Sequence, residues 1–566
     1  MAESLKIVVV GGVAAGPKAA ARARRCDPRA EITILEKGDY TSYAACGIPF
    51  LISGQTKEIK DLLATPVGAM RDASFFKNVK DIRLLTGKEV TAIDRAKKQV
   101  WARDRASGQE EIYPYDKLVL ATGATPVKPK IPGIDLANIF QVRQPSDALR
   151  ILKALEETKP QRAVIIGAGA IGLEFCEALR RRGLEVTVVE ALEQIFPGLL
   201  DFEMAAILQR YVEEQGVQVK TAQRVTGFAG DSQGRVARVI TAQGEYPAEL
   251  VIVAIGVRPN VELARQAGLE VGQTGALAVD KYLRTSDPDI YAGGDCAENF
   301  HRILDRPVFV SSGELANVHG RIIGTNLTGG QARYQGMVGT FVTKVFDYTV
   351  GATGLTEAAA RREGRTALVT GLVPALDHAH YYPGAKFVGL KMVAEAPGGR
   401  LLGVQVVGPG DGAKRLDVAA AALTLGADVH TISQFNLGYS PPYNTAIDPL
   451  VNAAQVVENK LTGLAQALSP MEVQKLTEQG KDFMLLDVRT PAEFKEVRLK
   501  HPKAFAVPLG KLREKAQDFP KDKLYVTFCK FSLRGYEAEK ILESLGFEQV
   551  KFMDGGLVHW PYELEK

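Results

Sequence analysis

The stretch Leu5-Lys-Ile-Val-Val-Val10, followed directly by Gly11-Gly-Val-Ala-Ala-Gly16, decides the fold of this chain. An apolar run of this length, closed by glycines, is typical of a strand buried on both faces of a parallel sheet. The residues after Gly16 are rich in Ala and Arg and predict a helix. The same strand, glycine turn and helix recur at Arg162-Ala-Val-Ile-Ile166 and Gly167-Ala-Gly-Ala-Ile-Gly172. The sequence therefore predicts an α/β protein in which one type of unit occurs twice.

Each unit continues into a second strand that ends in an acid, at Ile32-Thr-Ile-Leu-Glu36 and at Val186-Thr-Val-Val-Glu190. A glycine turn at a helix N-terminus lets a pyrophosphate approach free N–H groups, and an acid at this distance accepts hydrogen bonds from ribose hydroxyls. A lone glycine turn is often purely structural, but two complete sets favour two Rossmann-like dinucleotide-binding domains. Because Glu190 would repel a 2′-phosphate, NADH is favoured over NADPH, which stays possible.

Composition excludes several classes of protein. The 566 residues are 46% hydrophobic and 24% charged, with a formal net charge of +4, which gives no reason to expect a nucleic-acid partner or a polybasic membrane anchor. No run approaches 18 apolar residues, so we expect no membrane span. The five cysteines are scattered, without disulfide-scaffold or zinc spacing, and no metal site is predicted. A reducing cytoplasmic location with one or two working thiols fits this pattern best.

Changes of pattern along the chain suggest four domains. The first dinucleotide-binding domain is placed at 1–150 and 271–336, and the second at 151–270. Alternating strands with glycine turns occupy 337–458. A break near Leu468-Ser-Pro470 opens a last α/β segment at 470–566.

Two further motifs, Ala121-Thr122-Gly123 and Gly293-Gly294-Asp295, complete an order that resembles the flavin-dependent pyridine nucleotide-disulfide oxidoreductases over about residues 5–455. The resemblance implies FAD at the first glycine turn and the nicotinamide cofactor at the second. The residues that it assigns to FAD, with Asp295 on the ribityl chain, are Gly11, Gly12, Ala14, Ala15, Glu36, Lys37, Ala121, Thr122, Gly123 and Asp295. Those that it assigns to NAD are Gly167, Gly169, Ile171, Gly172, Glu190 and Gly256.

Cys46 lies in Tyr43-Ala-Ala-Cys46-Gly-Ile-Pro49, ten residues after Glu36, and Ser42 stands where many flavin disulfide reductases carry a second thiol. A single thiol is oxidised to a mixed disulfide, a persulfide or a sulfenic acid. Gly47 and Pro49 predict the start of a helix, whose N–H groups should lower the thiol pKa. A buried inert cysteine is the alternative. Of the other cysteines in this part of the chain, Cys26 and Cys176 are expected to pack on helices, and Cys296 to be a small residue near the flavin.

The Cys46 segment resembles coenzyme A-disulfide reductases, and it is also similar to NADH oxidases and peroxidases, whose single cysteine cycles through sulfenic acid. Lys18, Arg22 and Arg25 form a basic stripe that is either an exposed helix face or, by the first resemblance, the site for the CoA phosphates, with Ser42 near the thiol end. The 337–458 segment resembles the family's dimerisation domain and implies a homodimer. Its stretches His380-Tyr-Tyr-Pro383 and Gly438-Tyr-Ser-Pro-Pro442 would bring phenols to the partner's cysteine. Tyr439 is favoured over Tyr381 or Tyr382, and core packing is the alternative for each.

Phe483-Met-Leu-Leu-Asp-Val-Arg489 and Tyr525-Val-Thr-Phe-Cys529-Lys-Phe-Ser-Leu-Arg534 resemble a rhodanese domain over about 470–566. The resemblance makes Cys529 a sulfur nucleophile and Asp487 and Arg489 structural. Backbone N–H groups of such a loop stabilise thiolate and persulfide. The loop residues are Lys530, Phe531, Ser532, Leu533 and Arg534.

The whole chain thus resembles a coenzyme A-disulfide reductase fused to a rhodanese domain, the architecture of NADH-dependent persulfide reductases. This implies reduction of CoA-disulfide, CoA-persulfide or polysulfide through Cys46, with sulfane sulfur delivered by Cys529 and sulfide or thiol released. Coenzyme A would be a substrate or a bound carrier. An NADH oxidase or peroxidase, and a non-enzymatic redox or sulfur sensor, remain the alternatives.

Overall fold

The computed structural model describes residues 4–565, which divide into two compact units. The first unit comprises the chain up to Ala191 together with Gln223–Met337, and the second comprises Leu192–Ala222 together with the chain from Val338 onward. Residues 192–222, which lie within the predicted 151–270 domain, therefore cluster with the C-terminal half. The four domain limits themselves stay a prediction.

The first unit is built around two parallel sheets, as the repeated pattern predicts. In the first sheet Ile7 to Val10 are all buried, which explains why these four positions are apolar. Its strands, in spatial order, are Ile290–Ala292, Lys117–Leu120, Lys6–Val10, Glu31–Leu35 and Arg83–Leu85. The second sheet contains, in spatial order, Glu185–Val189, Arg162–Ile166, Leu250–Val253 and Ile139–Phe140. The predicted α/β class with two dinucleotide-binding units is confirmed.

Smaller antiparallel ribbons and helices complete the first unit. The ribbons are Lys88–Asp94 with Gln99–Asp104 and Glu110–Pro114, Val225–Gly230 with Val236–Thr241 and Glu245–Pro247, Ala124–Pro126 with Val257–Pro259, and Asn299–His301 with Arg306–Val308. The α-helices are Ala15–Cys26, Ile48–Ser53, Ile59–Leu63, Ala73–Lys80, Pro145–Thr158, Ala170–Arg181, Glu262–Gln266 and Gly313–Asn326.

The second unit contains an antiparallel sheet followed by a parallel one. The antiparallel strands, in spatial order, are Phe341–Val345, Tyr348–Gly354, Arg400–Gly408, Phe387–Glu395 and Leu368–Leu376. The remaining strand and the helices of this part are Gln218–Lys220, Phe202–Glu214, Glu357–Arg362, Ala413–Leu425, Val429–Ile432 and Pro449–Leu461. A fully buried Lys391 binds the carboxylates of Asp201, Glu203 and Glu357 at 3.0, 2.5 and 2.7 Å, which fixes the helix Phe202–Glu214 to this sheet.

The parallel sheet of the second unit forms the last α/β segment. Its strands, in spatial order, are Ala467–Leu468, Val550–Met553, Leu524–Phe528, Phe483–Asp487 and Ala504–Ala506. Its α-helices are Pro470–Glu478, Pro491–Glu496, Leu512–Lys515 and Leu533–Ser544, with 3-10 turns at Leu509–Lys511, Ala516–Asp518 and Gly556–His559. A short antiparallel pair, Arg498–Leu499 with Leu564–Glu565, closes the segment.

Candidate active site

The first glycine turn packs closely against the neighbouring backbone and leaves no room for a side chain at Gly11. Gly11 has φ +110°, and a Cβ there would collide with the carbonyl of Ala121. The backbone N–H of Gly12 donates to Glu36 Oε2 at 2.6 Å, so the strand-end acid is drawn against the turn. The helix Ala15–Cys26 begins directly behind it. A free helix N-terminus beside a bare glycine backbone and an acid fits a dinucleotide.

The second glycine turn repeats this geometry. Gly167 has φ +100° and lies against the carbonyl of Ala254, and Ala168 N–H donates to Glu190 Oε2 at 2.8 Å. A Cβ on Gly169 or Gly256 would meet nothing within 4 Å, so both face open space. The predicted residues of the second cofactor site therefore surround an accessible turn at the start of the helix Ala170–Arg181.

Two groups that the sequence does not mark complete the first site. Arg143 Nη2 donates to Asp295 Oδ2 at 2.7 Å. His319 accepts the Gly294 N–H through Nδ1 at 3.2 Å, and its buried Nε2 has no hydrogen-bond partner among the residues that the structure describes. Burial lowers the pKa of His319 to about 4, so it is neutral at pH 7. A neutral, unpartnered ring nitrogen beside Asp295 suits a polar group of a bound cofactor, and the residues present therefore fit FAD.

Cys46 is exposed and lies in the 3-10 turn Ala45–Gly47, directly before the helix Ile48–Ser53. Ser42, with φ +48°, donates its backbone N–H to the carbonyl of Gly12 at 2.8 Å, so the cysteine segment is tied to the first glycine turn. Gly47 leaves no room for a side chain because Leu62 packs against it. The thiol is therefore held in a fixed position next to the first cofactor turn.

The expected lowering of the Cys46 pKa is wrong. Burial by the surrounding protein raises the pKa of the Cys46 thiol, the Glu174 carboxylate raises it further, and Arg143 opposes them. The helix that begins after Gly47 is only six residues long, and its N–H groups do not outweigh these two effects. Glu174 belongs to the helix Ala170–Arg181, which packs against the Cys46 helix, and no motif of the sequence marks it.

The basic stripe on the first helix is only partly exposed. Arg22 Nε donates to Thr325 Oγ1 at 2.9 Å, and the stems of Lys18 and Arg22 pack against two glycines of the helix Gly313–Asn326. Arg25 is exposed. The alternative of a freely solvated helix face therefore does not fully describe this stripe, because packing against the helix Gly313–Asn326 orients Lys18 and Arg22.

The other cysteines of the first unit differ from one another. Cys176 and Cys296 are fully buried, and the burial of Cys176 agrees with its predicted packing role. Cys26 is exposed at the end of its helix, so its predicted packing role is wrong. Cys26 is the last residue of its helix, and the buried residues of that helix end at Ala23. The Cys26 side chain therefore lies beyond the packed part of the helix.

In the second unit, the structure pairs two of the three candidate tyrosines. Tyr381 and Tyr439 are 66% and 53% exposed, and a hydrogen bond between their phenols raises the pKa of Tyr381. Tyr382 instead packs edge-on against His378, with ring centroids 5.8 Å apart. Next to Tyr439 opens a cavity of about 580 Å³, lined by Asp377, His378, Asp411, Lys414, Gly438, Tyr439, Ser440, Pro442 and Tyr443.

A buried arginine holds the segments that carry these phenols. Arg415 donates to the carbonyl of Asp377 at 2.7 Å and to Asn444 Oδ1 at 2.8 Å, and it pairs with Asp448 at 3.1 Å. Asn444 in turn donates to the carbonyl of Gly438 at 3.2 Å. Sequence patterns give no signal for Arg415, because its partners come from separate segments.

Cys529 lies between the strand Leu524–Phe528 and the helix Leu533–Ser544 and is only 2% exposed. Arg534 hydrogen-bonds to Cys529 and binds Glu493 through a fork at 2.7 and 2.9 Å. Arg534 lowers the pKa of Glu493 to about 2, so the pair stays ionised. The φ of Ser532, +98°, shows the tight curvature of the loop.

The segment behind this loop is supported on both sides. Asp487 and Arg489 form a buried ion pair at 2.7 Å, in line with their structural role. Leu557 N–H donates to the carbonyl of Cys529 at 3.0 Å. Asp554, three residues earlier, accepts from Leu372 N–H at 3.0 Å and from Lys460 Nζ at 2.5 Å. Hydrogen bonds through Leu557 and Asp554 therefore connect the cysteine loop to the antiparallel sheet of the same unit.

Within residues 4–565, the helices are all too short or too polar to cross a membrane. No group of three or more His, Cys, Asp or Glu residues in this range is arranged to hold a metal ion.

Comparison with known proteins places this arrangement in a family. The family model for the pyridine nucleotide-disulphide oxidoreductases matches residues 5–319, that for their dimerisation domain matches 340–450, and that for the rhodanese-like domain matches 469–562. The chain belongs to the pyridine nucleotide-disulphide oxidoreductase family, and it carries a rhodanese-like domain. The resemblances predicted from the motifs are confirmed.

Two of the proteins found match nearly the whole chain, and a third matches four fifths of it. A solved structure of a NAD-dependent persulfide reductase from A. fulgidus superposes with a TM-score of 0.93 at 41% identity, covering 98% of this chain and all of that one. Reduced Bacillus anthracis CoADR-RHD superposes with a TM-score of 0.92 at 34% identity, covering 99% of this chain and 98% of that one. A NAD(P)H coenzyme A polysulfide/persulfide reductase of Pyrococcus horikoshii is 37% identical over 80% of this chain and 98% of its own length.

Proposed function

We propose that this protein is an NADH-dependent flavoenzyme that reduces CoA-disulfide, CoA-persulfide or polysulfide through Cys46, and that Cys529 delivers sulfane sulfur to that reaction. The observation that carries the proposal is the presence of two unlike sulfur sites in one chain. Cys46 is exposed beside a dinucleotide turn, whereas Cys529 is enclosed in a loop with an arginine at its sulfur. Relatives named for persulfide and CoA-disulfide reduction support this assignment.

FAD would be held by the first glycine turn with Glu36, Asp295 and the Ala121-Thr122-Gly123 segment, and the nicotinamide by the second turn. Bound FAD supplies two-electron transfer from NADH to a sulfur centre. Glu190 is held at the second turn by the Ala168 N–H, and its negative charge favours NADH over a 2′-phosphorylated cofactor. The remaining work of the protein is to bind and orient the sulfur substrate.

Cys46 would attack the sulfur of a CoA-linked substrate as a thiolate, giving a mixed disulfide and releasing a thiol or sulfide. The raised pKa of Cys46 disfavours the thiolate. Cationic groups brought close to the sulfur would stabilise the thiolate and lower this pKa. Lys18, Arg22 and Arg25 would bind the CoA phosphates, and Ser42 would lie near the thiol end. Each of these positions is on the same unit as Cys46.

The dimerisation domain supports a homodimer as the working form. We propose that the paired phenols of Tyr381 and Tyr439 serve the partner's Cys46, where a phenol can donate a proton to the departing thiolate. Their exposure and their mutual hydrogen bond support this role, because an exposed phenol is accessible to a partner subunit.

An NADH oxidase is the second candidate, since an exposed thiol such as Cys46 also suits a sulfenic acid. A relative from Methanocaldococcus jannaschii named NADH oxidase is 34% identical over 81% of this chain. The enclosed Cys529 loop, with its intact arginine, favours sulfur transfer instead.

The test is steady-state NADH consumption by the purified yellow protein. We expect rapid anaerobic turnover with CoA-disulfide or CoA-persulfide, slow consumption with O₂ or H₂O₂, and higher kcat/KM for NADH than for NADPH. Faster turnover with O₂ or H₂O₂ than with any sulfur acceptor would establish the oxidase or peroxidase instead. A colourless protein that takes up no flavin would refute both, and slow turnover with every acceptor would favour a sensor.

A further inference from the structure

The cavity beside Tyr439 contains an imidazole that has no part in the reaction proposed above. His378 follows the strand Leu368–Leu376 by two residues and lines the same cavity, of about 580 Å³, as Tyr439. The Ala379 N–H donates to the carbonyl of Pro441 at 3.3 Å, so the two segments are joined next to both side chains. The imidazole and the phenol pair therefore share one pocket of the second unit.

Asp377 fixes the orientation of this imidazole. His378 Nδ1 lies 2.8 Å from Asp377 Oδ1. The same carboxylate accepts the backbone N–H groups of Lys386 at 2.9 Å and of Asp411 at 3.1 Å. Because a carboxylate can only accept hydrogen bonds, Nδ1 carries the hydrogen of the neutral ring. The ring of Tyr382 packs edge-on against the imidazole, so the side chain is held in one orientation and one tautomer.

The other nitrogen of the ring has no such partner. His378 Nε2 is buried, and within residues 4–565 no group forms a hydrogen bond with it. Buried polar atoms are nearly always paired, so an unpaired one needs an explanation. Nε2 can accept a proton while the Asp377 carboxylate balances the charge of the imidazolium, and imidazole is the side chain best suited to proton exchange around neutral pH. The pair is therefore built to take up a proton at Nε2 and to release it.

The phenol pair requires a proton from such a group. The hydrogen bond to Tyr439 raises the pKa of Tyr381, so it stabilises the protonated form of Tyr381. Tyr381 is therefore the donor in this bond, and the Tyr439 oxygen is the acceptor. The O–H of Tyr439 is not used within the pair and can be given to a leaving thiolate, after which Tyr381 stabilises the phenolate. Tyr439 then has to regain a proton before the next turnover.

The other charged groups that line the cavity are less suited to supply that proton. Asp377 accepts hydrogen bonds through both of its carboxylate oxygens. Asp411 lies 3.9 Å from the guanidinium of a buried arginine. Lys414 directs its ammonium to the carbonyl of Tyr443 at 3.3 Å. His378 is the one of these groups whose proton-exchanging atom is unpaired.

We infer that His378, oriented by Asp377, returns a proton to Tyr439 after each reductive cycle. The inference rests on the role of the phenols proposed above. When CoA leaves the partner's Cys46 as a thiolate, Tyr439 gives its O–H proton to that sulfur and becomes a phenolate. The His378 imidazolium gives its Nε2 proton to the phenolate, directly or through water in the cavity, and the neutral imidazole takes a proton from solvent. No electrons move in these steps, and their sum is the transfer of one proton from solvent to the CoA thiolate.

Imidazole rescue of a His378→Asn variant tests the inference in the intact dimeric holoenzyme. Asparagine keeps an N–H for Asp377 but has no counterpart of Nε2. We expect kcat for CoA-disulfide reduction to fall about 10- to 100-fold, because a proton donor is lost. The rate of flavin reduction by NADH, measured by stopped flow, should not change. Added imidazole should restore turnover in proportion to the concentration of imidazolium, which a merely structural role of His378 would not allow.

The matched control is His430→Asn. His430 is a second histidine of the same unit that pairs with a carboxylate, 2.7 Å from Glu458, and it does not line the cavity. This variant should keep the wild-type rate and gain nothing from imidazole. If His378→Asn loses flavin or fails to dimerise, His378→Gln repeats the measurement, with flavin absorbance as the measure of folding.

A wild-type rate in His378→Asn, or a loss that imidazole does not restore, would overturn the inference. A loss in Lys414→Gln together with a wild-type rate in His378→Asn would assign the proton to Lys414 instead. Tyr439→Phe separates the inference from the proposal on which it rests. Loss of turnover in Tyr439→Phe with an unchanged His378→Asn refutes the proton return alone, whereas a wild-type rate in Tyr439→Phe refutes the role of the phenols.

Discussion

The two sulfur sites of this protein differ in almost every physical respect. Cys46 is exposed in a short 3-10 turn, and burial of its inner side and the Glu174 carboxylate raise the pKa of its thiol. Cys529 is 2% exposed, is enclosed between a strand and a helix, and has the guanidinium of Arg534 at its sulfur. The Cys46 thiol is open, and the cation near it, Arg143, is paired with Asp295, whereas the Cys529 thiol is enclosed and accepts a hydrogen bond from Arg534.

This difference matches two tasks. A thiol that must meet a large substrate and a cofactor in turn has to be open on one side, and it can obtain its positive charge from the bound molecule. A thiol that stores a sulfur atom has to be shielded from other thiols, since any that reached it would take the sulfur. We propose that this difference in exposure separates reduction at Cys46 from sulfur storage at Cys529.

The largest expected effect is loss of reduction without Cys46. Cys46→Ser should lower NADH-dependent reduction of both CoA-disulfide and CoA-persulfide by about 10³-fold or more, because no thiolate remains to form the mixed disulfide. Stopped-flow and steady-state NADH consumption measure this. Cys26→Ser, at the other exposed cysteine of the first unit, is the matched control and should retain wild-type rates. Substantial CoA-disulfide reduction by Cys46→Ser would contradict the assignment.

The second largest effect is expected for Cys529→Ser, and only with sulfur donors that react at Cys529. Cys529→Ser should lower sulfide release from thiosulfate or a bulky sulfane donor by about 10²-fold, because only a sulfur nucleophile can hold the transferred atom. It should leave CoA-disulfide reduction unchanged. If the variant matched wild type on every donor, the rhodanese-like domain would play no part, and if it lost CoA-disulfide reduction, Cys529 would belong to the reductive cycle.

A smaller effect should follow from loosening the support of the Cys529 loop. Lys460→Met leaves the nearly buried Asp554 carboxylate without its cation, which should cost about 3 kcal/mol and speed amide exchange in 554–558. Sulfur transfer should fall, and CoA-disulfide reduction at Cys46 should not. Lys500→Met removes an ion pair of similar length, 3.0 Å, that is exposed, and should cost less than about 1 kcal/mol. Equal exchange rates in the two variants would show that Asp554 does not support the loop.

The smallest effect concerns the charge at Cys46. The Glu174 carboxylate raises the pKa of the Cys46 thiol, so Glu174→Gln should lower that pKa and move the midpoint of Cys46 alkylation by iodoacetamide to lower pH. Alkylation of Cys529, followed by mass spectrometry in the same samples, should keep its pH dependence. A midpoint that rises, or that moves equally at both cysteines, would show that Glu174 does not act locally.

Much of the fold and of the candidate chemistry was predictable because it depends on short-range patterns. The strand Lys6–Val10, the glycine at position 11 and the acid at position 36 lie close in sequence, and each has one structural explanation. The Cys529 loop is equally local, since its strand, loop and helix follow one another directly. Where contact partners are neighbours in the chain, residue type and spacing suffice.

The sequence by itself determined the order of the family domains and the two glycine turns, and it predicted the two candidate thiols. Only the tertiary structure decided the pairing of Tyr381 with Tyr439, the Arg143–Asp295 contact, the effect of Glu174 on Cys46 and the bracing of Cys529 through Asp554 and Lys460. These contacts join residues that are far apart in the sequence, so neither periodicity nor spacing predicts them. The wrongly predicted Cys46 pKa has the same origin, because the helix start is visible in the sequence whereas the burial and the carboxylate that outweigh it come from the folded chain.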